Sequence, residues 1–148
     1  MNTFTQIYYH IIFSTKNRTK SLEKEKRDQL FKYIWGILKN KRCHLYRING
    51  IEDHIHIFTH LHPTIPLASL VKDIKLVSTD FIKKEALFLN FNGWQKGYAA
   101  FTVTIREKSR LISYIKNQEI HHQKLSFQEE LKQILTHNGL EYDEKYLD

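Results

Sequence analysis

At 148 residues and 41% hydrophobic content, the chain is long enough for one domain with its own core, and a single domain over residues 1–148 is expected. No apolar run approaches the roughly 20 residues that cross a membrane, and the opening MNTFTQIYYH lacks the layout of a signal peptide. The one cysteine, Cys43, permits neither an intrachain disulfide nor a cysteine-rich zinc site, which suits a cytoplasmic protein. The net charge of +7 is uneven: residues 16–47 carry eleven Lys or Arg and three acidic residues, so the rest of the chain sums to −1. Charge concentrated in this way is the footprint of a polyanion partner, most often nucleic acid. A solvated helix face is the other reading, because Lys24, Lys26 and Arg27 are interleaved with Glu23, Glu25 and Asp28.

In chain order, residues 5–14 (TQIYYHIIFS) are rich in aromatic and β-branched types and read as a first strand. Ser21 to about Lys39 reads as a helix, with Leu30, Phe31, Ile34, Trp35 and Leu38 at three- and four-residue spacing. Residues 43–51 and 54–61 read as paired strands with a tight turn near Gly50. A second helix starts near Pro66, with Leu67, Leu70, Val71, Ile74, Val77 and Phe81 on one face. Phe101, Val103 and Ile105 alternate with Thr102 and Thr104 in a fourth strand. The order βαββαβ predicts an α+β fold of ferredoxin-like or RRM-like type: an antiparallel sheet with two helices on one face, followed by C-terminal helices.

The third strand carries His54-Ile55-His56. Side chains alternate along a strand, so both imidazoles point one way and Ile55 and Ile57 the other. With helices over the isoleucines, the histidines would lie on the open face of the sheet, available to a metal ion or to nucleic acid. A histidine pair on a strand is also compatible with a plain polar surface.

Residues 107–122 (EKSRLISYIKNQEIHH) read as a helix with Leu111, Ile112 and Ile115 as its apolar seam. Tyr114 and Gln118 lie one turn apart on one face. A phenol is a nucleophile once deprotonated, and an amide oxygen can ligate a hard divalent cation. A tyrosine on a helix is by default a packing residue, but beside a histidine pair a Tyr-x-x-x-Gln face makes a coherent site. Further on, over residues 126–148, Ser126 and Glu129 form a capping box for a short helix carrying Phe127, Leu131, Ile134 and Leu135, which Gly139 is suited to end. This piece, with its acidic tail, reads as structural.

Taken together, His54-Ile55-His56, Tyr114-x-x-x-Gln118, His10 within YYHIIFSTKNR, the stretch FNGWQKGYAAFTVT and the closing NGLEYDEKYL resemble the single-tyrosine HUH transposases of insertion sequences that move as single-stranded DNA. The likeness runs over nearly the whole chain. It implies that Tyr114 attacks a DNA phosphate and becomes joined to the 5′ side of the break, releasing a 3′ hydroxyl. It implies that His54, His56 and Gln118 hold one Mg²⁺ or Mn²⁺. It also implies a homodimer, with the tyrosine helix able to act in trans, and recognition of hairpins at the element's ends by a nucleoid-associated protein. Asn17 stands where many relatives have an aromatic residue, and Glu52-Asp53 where Pro-Asp is common.

Elementary chemistry agrees with these roles. A free phenol of pKa near 10 is ionised in about one molecule in a thousand at neutral pH, so it needs help to attack. A divalent ion at the phosphate supplies such help, and two imidazoles with one amide leave positions open for substrate. Around this core, Lys16 and Arg18 are candidate hairpin-phosphate contacts, and Lys72, Lys75 and Lys83 form a helix face that can meet phosphate or simply solvent. His121 is a candidate for touching DNA or the site; His60 and His62 fall at the strand end, outside the metal site. Trp94 and Tyr98 can stack on bases or pack internally. Two other classes fit parts of the pattern: a non-catalytic RRM-like nucleic-acid-binding relative, and a metal-dependent phosphodiesterase in which water attacks.

Overall fold

The computed structural model describes residues 1–147. Four strands, β1 (Tyr8–Ser14), β2 (Leu45–Gly50), β3 (His54–His60) and β4 (Ala99–Val103), form one antiparallel sheet in the order β2-β3-β1-β4. Helices α1 (Lys24–Asn40) and α2 (Leu67–Lys84) connect β1 to β2 and β3 to β4. This is the ferredoxin-like βαββαβ arrangement. The period-two alternation of the strands builds the main core: Ile11, Phe13, Ile55 and Ile57 face Leu30, Ile34 and Leu38 of α1 and Leu70, Val71 and Ile74 of α2. Burying such side chains is the chief stabilising term, at about 1.5–3 kcal/mol each.

The other face of the sheet is not open. After β4 the chain forms α3 (Lys108–Lys116), the single turn α4 (Gln118–His121) and α5 (Phe127–His137). Ile115 of α3 packs on Tyr8 and Phe58, and Phe127 of α5 packs with Ile12 and Phe101. The sheet therefore lies between two helical layers, and residues 54–59 are buried on both sides. This corrects the expectation of a half-exposed β3: His54 and His56 are both fully buried.

Smaller departures have local causes. β1 starts at Tyr8, with residues 5–6 exposed and irregular. Ser21 and Leu22 stay outside the helix, both of their N–H groups donating to the Glu52 carbonyl at 3.0 and 2.9 Å, and α1 begins at Lys24. Trp35 (53% exposed) and Val77 (38%) lie outside the core, while Ser78 and Ile82 turn inward in α2. Ile105 leaves the sheet for a short turn in which Thr104 and Glu107 form a reciprocal capping box. Residues 107–122 do not make one helix: Asn117 (φ −96°, ψ 23°) breaks the run and restarts it.

The segments flanking the sheet's end are tied together. Lys16 N–H donates to the Gly93 carbonyl and Gln95 N–H to the Ser14 carbonyl, both at 2.8 Å. Gln95 Oε1 accepts from Asn17 N–H at 2.8 Å. Trp94 packs edge-on against Phe13 and donates to Ser78 Oγ at 3.0 Å, which makes it a packing residue. At the other end, Ser126 Oγ accepts from Glu129 N–H at 3.2 Å, and Gly139 (φ 70°) follows α5 in a left-handed conformation suited to glycine. No described helix is long and apolar enough to cross a membrane.

Candidate active site

The site lies between β3 and the C-terminal helical layer. α3 is held on the chain's own sheet, since Asn49 of β2 donates through Nδ2 to the carbonyls of Ile115 and Lys116 at 3.0 and 3.1 Å. These are carbonyls at the helix end, where partners within the helix run out. Ile115 is fully buried beneath the helix. Tyr114, one residue earlier, is thereby turned toward His56, with ring centroids 6.0 Å apart.

Gln118 is also fully buried, and its Oε1 lies 3.2 Å from His54 Nε2. Tyr114, Gln118, His54 and His56 are thus brought together, an arrangement that the single-tyrosine HUH resemblance implies. Two residues join them that sequence reasoning did not place there. Glu130 of α5, only 1% exposed, puts Oε1 within 3.1 Å of His54 Nε2, 3.1 Å of His56 Nε2 and 3.0 Å of His122 Nε2. Its Oε2 accepts from Gln118 Nε2 at 3.0 Å and from the Tyr114 hydroxyl.

The segment read as purely structural therefore supplies a central group, and His122 rather than His121 turns into the site. The restart at Asn117 accounts for the inward turn of His122, because it shifts the phase of residues 118–122 relative to a continuous helix. His121 instead packs against Tyr114, with ring centroids 4.6 Å apart. A signal for Glu130 existed in its position beside the Phe127, Leu131 and Ile134 stripe, which sets a carboxylate at the edge of the apolar seam.

Each imidazole is oriented through its other nitrogen. His54 Nδ1 lies 2.7 Å from Asp53 Oδ1, His56 Nδ1 lies 2.8 Å from His10 Nε2, and His122 Nδ1 lies 2.5 Å from the Leu125 carbonyl. Fixing Nδ1 aims Nε2 at the centre, the arrangement typical of metal-bound histidines. His54, His122 and Glu130 offer donor atoms all within 4.8 Å of one another. Imidazole nitrogens and a carboxylate oxygen are a suitable donor set for a divalent ion, so the cluster can hold one.

The buried charges shape one another. Burial would raise the Glu130 carboxyl, but hydrogen bonds from His122, His54 and His56 outweigh it and hold the group far below the ordinary range. Burial pushes the Tyr114 phenol strongly upward, and the Glu130 charge adds to that. His54 feels the same burial, but Asp53 and Glu130 raise it overall. His56 is lowered, chiefly by burial. His10 is lowered well below its usual value by burial and by His56. Both directions favour a protonated phenol beside an ionised Glu130.

The candidate DNA contacts separate. Lys16 and Lys72 are exposed, and Lys16 and Arg18 lie in a short turn just after β1. Arg18 is partly buried, and its guanidinium reaches the Leu147 carbonyl at 3.4 Å. Lys75 is engaged internally: Nζ donates to the carbonyls of Gln95 and Gly97 at 2.8 and 2.5 Å, clamping the loop after Trp94. An open groove of about 410 Å³ runs beside the nucleophile candidate, lined by His10, Phe101, Arg110 and Tyr114 among others.

A family model described as IS200-like transposase matches residues 3–118. The chain belongs to that family. As an IS200-like transposase it acts on DNA, in keeping with the single-tyrosine HUH resemblance in its motifs. Among solved structures, the chain resembles one described as "a putative transposase from Deinococcus radiodurans R1", with 23% identity, 80% of this chain and 95% of that one covered, and a TM-score of 0.60. It also resembles a REP-associated tyrosine transposase bound to a REP hairpin, with 15% identity, 82% and 72% coverage, and a TM-score of 0.61. At these identities the likeness establishes a shared fold. Among curated proteins there is no significant match.

Proposed function

We propose that this transposase cleaves and rejoins single-stranded DNA at insertion-sequence ends through a 5′-phosphotyrosine intermediate, with Tyr114 as nucleophile and His54, His56 and Gln118 holding a divalent ion such as Mg²⁺ or Mn²⁺. The observation that carries this reading is the convergence of Tyr114, which also lines an open groove of about 410 Å³, on the buried His54–His56 pair. In cleavage, the Tyr114 oxygen bonds to phosphorus, the bond from phosphorus to the 3′ oxygen breaks, and that oxygen leaves as a hydroxyl after taking up a proton. Glu130 Oε2 already accepts the phenol's hydrogen bond and is the acceptor within reach of its proton. A bound divalent ion would supply positive charge that neutralises charge developing on the phosphate and favours the phenolate. Storing the bond energy in a tyrosine ester lets a second strand's 3′ hydroxyl reverse the step without ATP.

DNA hairpins as ligands and a homodimer as the working form belong to the same proposal. The solved relative bound to a REP hairpin supports the first by analogy. Exchange of the tyrosine helix between subunits would require releasing Asn49 from the end of α3 and Ile115 from the Tyr8–Phe58 cluster.

The test is covalent capture. Single-stranded oligonucleotides copied from both flanks of the gene are incubated with the protein and Mn²⁺ or EDTA, then separated on a denaturing gel. A metal-dependent adduct that disappears with Tyr114→Phe is expected. Metal-dependent cleavage without an adduct would replace this reading with water attack.

A further inference from the structure

Three imidazoles aim at one buried carboxylate oxygen. Glu130 Oε1 has His54, His56 and His122 Nε2 at 3.1, 3.1 and 3.0 Å. The Leu125 carbonyl can only accept, so the hydrogen of a neutral His122 ring is on Nδ1 and its Nε2 presents a lone pair. Asp53 holds His54 Nδ1 in the same way. Lone pairs and a carboxylate thus face one another with a cation needed between them, either protons or a metal ion. A buried carboxylate without such a cation carries an uncompensated desolvation cost.

The local build suits a ligand. Phe127 of α5 stacks on His54 with centroids 4.2 Å apart, seating the helix that carries Glu130. Gln118 Nε2 and the Tyr114 hydroxyl bind Oε2 and leave Oε1 for the centre. Both His122 and Glu130 lie beyond residue 118, where the family match ends.

We propose that the divalent ion is ligated by His54, His122 and Glu130, whose donor atoms all lie within 4.8 Å of one another, with His56 and Gln118 drawing in to complete its shell, and that this set selects a transition-metal ion such as Mn²⁺ or Zn²⁺ over Mg²⁺. Mg²⁺ prefers oxygen donors and keeps several waters, whereas imidazole favours first-row transition ions. Three imidazoles and a carboxylate at a buried centre therefore favour the transition ion. The inference rests on the proposed function only in placing an ion at His54 and His56.

The experiment is metal binding by the full, metal-free chain without DNA. Calorimetric titration with Mn²⁺, Zn²⁺ and Mg²⁺ is combined with electron spin-echo spectroscopy of the Mn²⁺ form, which counts coordinated imidazole nitrogens. Expected are three nitrogens, Mg²⁺ binding much weaker than Mn²⁺, and at least a 10–100-fold loss of Mn²⁺ affinity in Glu130→Gln and His122→Gln. Two nitrogens, with unchanged affinity in both variants, would overturn the extended ligand set and leave the His54, His56 and Gln118 site standing. No binding by the wild-type chain, or equal binding after His54→Ala, would overturn both. The nitrogen count uses the unaltered protein, so a variant that fails to fold does not remove the test.

Discussion

His10 Nε2 lies 2.8 Å from His56 Nδ1, and the two rings stack with centroids 5.1 Å apart across the β1–β3 pair. The register sets Ile12 opposite His56 and Phe58 opposite His10, so the two histidines are diagonal neighbours on one sheet face. His10 thereby fixes the direction in which His56 presents Nε2 to the centre, which explains a histidine buried in the middle of an otherwise apolar strand.

Replacing that partner should misdirect a ligand while leaving intact the exposed Lys16 turn proposed to meet the hairpin. His10→Phe is expected to weaken Mn²⁺ binding about 10–100-fold, the range for lost orienting groups. Hairpin affinity in EDTA should be unchanged. Calorimetry and a gel-shift series check the two halves, and unchanged Mn²⁺ affinity would contradict the orienting role.

Tyr114→Phe removes only the hydroxyl that donates to Glu130. Adduct formation should vanish while hairpin binding persists. Because a buried carboxylate loses one of several donors, stability should change by no more than about 1–3 kcal/mol, read from urea unfolding.

Gly50 is needed for close approach rather than for its φ. A Cβ there would meet the His54 carbonyl oxygen at 2.3 Å and the Ile55 Cα at 3.0 Å. Gly50→Ala should separate β2 from β3 at the metal-site end and destabilise the fold by about 1–3 kcal/mol, as overpacking generally does. Thermal melting with and without Mn²⁺ should show a smaller metal-induced rise in Tm than in the wild type.

The lysines should divide by salt dependence. Lys16→Ala is expected to lower the slope of log affinity against log salt by about one if the side chain meets a phosphate. Lys75→Met should leave that slope unchanged, because its ammonium is already bound to the Gln95 and Gly97 carbonyls. It should instead destabilise the protein by about 1–3 kcal/mol, the usual effect of losing charged hydrogen bonds. A normal unfolding midpoint in Lys75→Met would argue against the clamp.

Periodicity in the sequence was sufficient for the ferredoxin-like sheet and its two connecting helices, because alternating and three-to-four spacings are local consequences of backbone geometry. Each half of the motif set, His54-Ile55-His56 and Tyr114-x-x-x-Gln118, was legible at its own short spacing, and the family resemblance rather than any local pattern joined the two. The burial of the site was not. It depends on α5 folding back over a sheet face that the βαββαβ pattern alone leaves open, a long-range packing event driven by Phe127, Ile12 and Phe101. Nor did local spacing reveal His122, whose direction is set by the break at Asn117, or Glu130, whose stripe position was ambiguous between helix surface and seam. Local order along the chain thus determined the scaffold and the candidate chemistry, while tertiary packing alone decided which polar side chains share one dry centre. That choice depends on contacts between residues as distant as His10, His56 and Glu130, which no local pattern encodes.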